Sequence, residues 1–283
     1  MFQNDLLKGR AIFITGGGTG LGKSMALRFA ELGANVFLMG RRREPLAQTV
    51  KEIGAQAGGR GAYFPGDVRD FAAVENAITA AFGEFGSVDT LVNNAAGNFI
   101  ARTEKLSPNA FQAVVGIVLQ GTFHCTLALG RRWIEAKQPG NVLNIVTTYA
   151  AANCGSGFVV PSACAKAGVL AMTRSLAVEW ARHRIRLNAI APGPFPTEGA
   201  FSRLLPSPEL EQQAREQHPM KRFGRHEELA NLAVFLLSGA AEYINGECVV
   251  IDGGLWLRGA GEFNDFDDLP IEGWEKLEVR NKK

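Results

Sequence analysis

The sequence predicts an α/β fold, a single doubly wound domain on a seven-stranded parallel sheet, and three observations carry that expectation. Seven short apolar runs lack the polar alternation of half-exposed strands, as strands covered on both faces do. Segments of helical spacing separate most of them. A glycine cluster lies at the junction of the first run and the first helical segment.

Ala11 to Thr15 (AIFIT) is the first strand, and Thr15-Gly-Gly-Gly-Thr-Gly-Leu-Gly22 follows at once. From Lys23 to Leu32, Met25, Ala26, Phe29 and Ala30 share one side of a helix that Gly33 stops. Asn35 to Met39 is the second strand, Glu44 to Ile53 a helix, Ala62 to Pro65 a short strand, Asp70 to Phe82 a helix and Val88 to Val92 a strand. Two longer helices are expected, one from Pro108 through Gly116 to Ala136 and one from Pro161 to Arg182. Asn141 to Val146 and Ile185 to Ile190 supply strands between and after them; Glu227 to Leu237 is the last helix and Glu247 to Ile251 the last strand. Pro192 to Pro219, rich in Pro, Gly and Ser, interrupts the rhythm and reads as an irregular lid. Residues 1–258 then form the domain, and 259–283 form a C-terminal extension rather than a second one.

With 283 residues, 46% of them apolar, the chain can build its core without disulfides or metal. Thirty basic and 28 acidic residues are interspersed, which argues against a nucleic-acid binder or an acidic tail. The four cysteines form no CxxC pair and the four histidines show no usable spacing, so no metal site is expected. No apolar run approaches the ~18–20 residues of a membrane span. The opening MFQNDLLKGR lacks the features of a signal or transit peptide, so a cytoplasmic location is expected unless a longer precursor was trimmed.

Between a strand and a helix, the glycine cluster reads as a dinucleotide-binding loop. Gly16 would permit the tight turn, Gly20 would let the backbone approach a pyrophosphate, and Gly22 would let the helix pack on the strand. Gly18, Thr19 and Leu21 complete the loop, and the helix N-terminus favours phosphate. After the second strand, where a carboxylate would hold the two ribose hydroxyls of NAD, stand Gly40-Arg41-Arg42-Arg43. Guanidinium groups bind a 2′-phosphate through charge-assisted hydrogen bonds, so Arg41 and Arg42 predict NADP(H). Asp67, with Val68 beside it, is placed to meet the adenine amino group, although a plain loop aspartate fits nearly as well.

With Asn93-Asn-Ala-Ala-Gly97, Pro192-Gly-Pro194 and Asp252-Gly-Gly254 added, the chain resembles the short-chain dehydrogenase/reductase family over residues 8–258. The resemblance implies a Rossmann fold, a nicotinamide end lined by Asn93, Asn94, Ala95 and Gly97, and contacts from Pro192, Gly193 and Phe195. It also implies a Tyr-x-x-x-Lys pair, but the chain reads Ser162-Ala-Cys-Ala-Lys166. A serine hydroxyl is far less acidic than a phenol and a poor substitute in ketone reduction.

Asn93 to Ile100, Gly155-Ser-Gly-Phe-Val-Val-Pro-Ser-Ala163, Gly199-Ala-Phe-Ser-Arg203 and Gly261-Glu-Phe-Asn-Asp265 together resemble the mitochondrial-type 2,4-dienoyl-CoA reductases. That resemblance implies a catalytic tyrosine at Tyr149, after the fifth strand, with Asn98 as its partner. The stretch between Tyr149 and Gly155 is about two residues longer than that pattern. Lys166 would grip the nicotinamide ribose, and Ser162 would hydrogen-bond nearby or help position Lys166. For an acyl-CoA thioester, Arg69 and Arg203 would meet the coenzyme phosphates and Phe99 and Ser107 would line the thioester path. Phe195, Phe201, Leu204 and Leu205 would cover the acyl tail, and a homotetramer is implied. Two alternatives stay open, another NADPH-dependent carbonyl or enoyl-thioester reductase and a non-catalytic NADP(H)-binding sensor.

Overall fold

The seven apolar runs form one all-parallel sheet in the order β3-β2-β1-β4-β5-β6-β7. The strands are β1 Ala11–Thr15, β2 Asn35–Gly40, β3 Gly61–Pro65, β4 Thr90–Asn93, β5 Gly140–Ile145, β6 Ile185–Pro192 and β7 Cys248–Ile251. The computed structural model describes residues 2–56, 58–150, 155–197, 208–259 and 270–272. Arg203, Phe201, Leu204, Leu205, Cys154 and most of the extension over 259–283 lie outside the described residues.

Every residue of β1, β4 and β5 is buried, which explains their unbroken apolar runs. Alternating side chains serve opposite faces. Ile12 and Ile14 meet Met25 and Phe29 of α1 (Gly20–Glu31), Leu46 and Ile53 of α2 (Arg43–Gly54) and the buried side of α8 (His226–Leu237). Phe13 stacks on Phe37 at 5.5 Å and faces α3 (Phe71–Phe85) and α5 (Gly121–Glu135) on the other side. Burying each such side chain contributes about 1.5–3 kcal/mol, so this two-sided cover stabilises the sheet that carries the loops. α4 (Pro108–Val115) and α6 (Val160–Glu179) complete the second layer near β6.

Two features depart from the expectation. The Pro192–Pro219 stretch is not wholly irregular, because Pro208–Gln217 forms helix α7. Its start is legible in retrospect, with proline in the first turn, Glu209 and Glu211 beside it, and an Arg215–Glu211 pair one turn apart at 2.5 Å. The second lies inside the expected long helix from Pro108 to Ala136, which is continuous over Pro108–Glu135 but carries a π-helical turn, Gly116–Gln120, between α4 and α5. That helix is long and apolar enough to cross a membrane by length and composition, contrary to the reading of the runs alone. Its apolar side is accounted for by the core, where Val114, Val118, Cys125, Leu129 and Trp133 are buried.

Candidate active site

All strands of a parallel sheet deliver their loops to one edge, and the order reverses between β1 and β4, so the chain diverges there and opens a crevice. A cleft of about 270 Å³ occupies it. Gly16, Gly18 and Thr19 line it after β1, Arg41 and Arg42 after β2, Asp67 and Val68 after β3, and Asn94 and Ala95 after β4. Those nine candidates are brought together. Gly40, Pro45, Leu46, Gly66, Ala96 and Ile117 also line it and were not anticipated. Gly40 ends β2 and Gly66 directly follows β3, positions that are a usable signal; Ile117 comes from the π turn and has none.

Gly16 takes φ +69°, the left-handed turn its position requires. A Cβ on Gly22 would sit 2.3 Å from the Gly16 carbonyl oxygen and 2.5 Å from Asn94 Nδ2. Gly22 therefore seats the helix on the glycine turn and Asn94, rather than on the strand as expected. Asn94 fixes the same turn by donating to the carbonyls of Thr15 and Gly16 at 3.1 and 3.2 Å. Gly20 opens α1 without lining the cleft, and the Leu21 side chain packs on the core, leaving its backbone for any ligand. Thr19 does not cap α1 with its side chain, and the first turn carries no acidic residue. The helix start is thus open to an anion, and the loop fits a dinucleotide phosphate.

Arg41 and Arg42 are exposed at the cleft rim, without a salt bridge to any described residue. The sequence assigns Asp67 and Arg69 separate partners, yet they pair with each other. Arg69 donates through Nη2 at 2.6 Å and Nε at 3.1 Å, and this pairing holds the Asp67 carboxyl below its ordinary range. Arg69 is therefore not a free cation. Asn93 is corrected too: it is buried, donating to Thr126 Oγ1 at 3.0 Å and Asn144 Oδ1 at 2.9 Å, and bolts β4 to β5 beneath the cleft.

The chemically distinctive group lies where β4 and β5 end. Tyr149, in a short turn after β5, places its hydroxyl 2.9 Å from Ser162 Oγ on α6. Asn98 Nδ2, on the loop after β4, lies 3.3 Å from the same phenol oxygen. Asn98 Oδ1 accepts the Phe99 N–H at 2.9 Å, which fixes the amide so that its donor end faces the phenol. Ser162 thus engages Tyr149 rather than Lys166. Lys166, one helical turn on and also buried, donates to the Ile145 carbonyl, and burial lowers its pKa to about 8. Tyr63 lies on β3 and Tyr243 is fully exposed outside the cleft, so Tyr149 is the only phenol here.

Other candidates sit differently. The Phe195 ring is buried against Gly224, so only its backbone is left for a cofactor. Gly193 is pressed against Asp252, and its N–H donates to the Ile251 carbonyl at 2.9 Å, which ties the loop at Pro192 to β7. Ser107 caps α4, accepting the Ala110 N–H at 3.2 Å, and no described hydrogen bond joins it to Tyr149 or Asn98. Phe99 is exposed beside Asn98.

Comparison with known proteins bears on this arrangement. The family model described as Enoyl-(Acyl carrier protein) reductase matches residues 16–256. A Bacillus subtilis strain 168 protein named "Probable 2,4-dienoyl-CoA reductase, (2E)-enoyl-CoA-producing" is 50% identical, covering 88% of this chain and 97% of its own. A Caenorhabditis elegans protein named "Probable 2,4-dienoyl-CoA reductase 3, (3E)-enoyl-CoA-producing" is 44% identical over 90% of this chain and 82% of its own. The crystal structure of a short chain dehydrogenase from Bacillus anthracis is 44% identical, with a TM-score of 0.80, covering 88% of this chain and 97% of that one. The fold, the crevice and these matches agree: the chain is an oxidoreductase and belongs to the short-chain dehydrogenase/reductase family.

Proposed function

We propose that this protein reduces 2,4-dienoyl-CoA thioesters to 3-enoyl-CoA with NADPH, a reaction needed where unsaturated fatty acyl chains are oxidised. The hydrogen-bonded line Asn98–Tyr149–Ser162, with serine at the family's usual tyrosine position, carries the reading. When bound, NADPH supplies a hydride to the δ carbon of the conjugated thioester. Charge then moves to the thioester oxygen, giving a dienolate. Ser162 and Asn98 can both donate to the phenol oxygen, which leaves the Tyr149 proton free to point at that oxygen. The second Nδ2–H of Asn98 can point there too, and the two donors form an oxyanion hole. Protonation of the dienolate at the α carbon, from water, gives the 3-enoyl product; protonation at the γ carbon would give the 2-enoyl product named for the Bacillus subtilis relative.

Lys166 is held close by the Ile145 carbonyl and would grip the nicotinamide ribose. Arg41 and Arg42 would hold the 2′-phosphate, and an Agrobacterium tumefaciens structure with bound NADP is 32% identical with a TM-score of 0.81. Arg69, through the Nη1 that makes no bond to Asp67, and Arg203 would meet the coenzyme phosphates, with Phe99 and Ser107 along the path. A homotetramer would cover apolar surface such as the exposed Phe123, Val178, Phe235 and Val250.

The test is NADPH oxidation with 2,4-hexadienoyl-CoA, crotonyl-CoA and simple ketones, with the product identified by NMR. Turnover of the dienoyl thioester alone supports the reading; turnover of ketones alone, or of nothing, overturns it. Cofactor choice has its own check. Arg41→Asp removes charge-assisted bonds and adds repulsion, so NADPH affinity falls roughly 10- to 100-fold while NADH changes little. Equal losses in a titration of both cofactors would make Arg41 structural.

A further inference from the structure

We infer that His226, a residue with no usable sequence spacing, is a positioning residue that clamps the loop after β6 to the dinucleotide-binding helix. This rests on the proposed function insofar as that loop covers the nicotinamide end. His226 is the first residue of α8, and its ring lies between two elements far apart in sequence. Nδ1 is 2.7 Å from Ser24 Oγ, on the first turns of α1. Nε2 is 2.5 Å from the Pro196 carbonyl, in the loop that leaves β6. A carbonyl only accepts, so Nε2 carries its proton, and in the neutral ring Nδ1 accepts from the serine hydroxyl. Ser24 Oγ also lies 3.1 Å from the carbonyl of Gly20, the residue that opens α1.

The serine proton goes to Nδ1, so the hydrogen-bonded line runs from Pro196 through His226 to Ser24, and Ser24 stands on α1 one turn after Gly20; it thereby connects the two backbone segments that a dinucleotide has to bridge. Thr197, next to Pro196, closes on the same place: a Cβ built on Gly20 would lie 3.3 Å from its methyl group. Loop and glycine turn are in register, and the imidazole sets that register.

His226 is itself held in direction. The Arg225 N–H donates to Glu228 at 2.8 Å, and Arg222 grips the same carboxylate through two bonds of 2.9 and 2.7 Å. Chiefly through Arg222, the Glu228 carboxyl is drawn down to about 2, so this cap on α8 persists throughout the neutral range. A ring fixed at the start of a capped helix and bonded at both nitrogens loses little further freedom when the cofactor binds.

The experiment compares wild type, His226→Phe, His226→Gln and Ser24→Ala. It uses NADPH and NADH titrations by fluorescence, turnover, and thermal melts of the free proteins. His226→Phe keeps the ring volume and deletes both bonds; affinity for whichever cofactor the wild type binds should fall about tenfold, with the melt nearly unchanged. His226→Gln retains a donor for Pro196 and should recover most of the affinity, and Ser24→Ala should lose about as much as one bond is worth. Unchanged cofactor affinity in His226→Phe overturns the inference. So does a loss that tracks a lowered melt and is not restored by glutamine. Titration needs no acyl substrate, so a wild type inactive on dienoyl-CoA would sink the proposed function while this test still reads out.

Discussion

Tyr149→Phe lowers turnover of a dienoyl thioester roughly 10²- to 10³-fold while NADPH affinity stays within about twofold. The ring remains, so the turn after β5 keeps its packing, and only the hydroxyl is lost. That hydroxyl is the point on which the site converges, 2.9 Å from Ser162 Oγ and 3.3 Å from Asn98 Nδ2. Its proton is directed at an oxygen that becomes negative only as hydride arrives, so the loss falls on the transition state rather than on substrate binding. Ser162→Ala removes a donor to the phenol but leaves the phenol itself, and costs much less, about tenfold. Steady-state kinetics of the two variants, with NADPH binding measured separately, decide the assignment. A severe Ser162→Ala beside a mild Tyr149→Phe would give serine the central role and overturn the chemistry proposed here.

The fold was legible because burial leaves a mark on composition. Strands covered on both faces read as continuous apolar runs, as β1, β4 and β5 do, and the partly exposed edge strands β3 and β7 are apolar enough to be read with them. The cleft was legible for a related reason: the glycine turn, the arginines after β2 and the asparagine-rich turn after β4 each sit directly after a strand, so topology alone gathers them at one edge. What escaped was contact between residues distant in the chain. Asp67 and Arg69 look like two independent ligands until their side chains are seen to satisfy each other. Asn93 and Asn94 look equivalent, but the strand alternation sends one into the core and leaves the other in the cleft wall. Ser107 could be placed near a substrate only by analogy, whereas its position before Pro108 was already the signature of a helix cap. His226 carries no local signal at all, because both of its partners belong to other elements.

Asn98→Asp is the substitution expected to cost most, roughly 10³-fold in turnover, and more than Asn98→Ala. The reason lies in which end of the amide does what. Asn98 Oδ1 anchors the loop by accepting the Phe99 N–H at 2.9 Å, and a carboxylate oxygen can do the same, so the loop should keep its shape. The other end changes from donor to acceptor. It would draw the Tyr149 proton toward itself, away from the thioester oxygen, and would set a negative charge beside the one that develops there. Alanine deletes the donor without adding that repulsion, so it is the milder change. The sign of the pH effect follows: a free aspartate carboxyl protonates near pH 4, and its neutral form can donate again. Turnover of Asn98→Asp, relative to wild type at each pH, should therefore rise as the pH is lowered, whereas that of Asn98→Ala should not. A melt and an NADPH titration on both variants complete the argument. Unchanged melting and cofactor affinity with collapsed turnover support the oxyanion role, whereas a destabilised protein that no longer holds NADPH would make Asn98 a structural anchor for the loop.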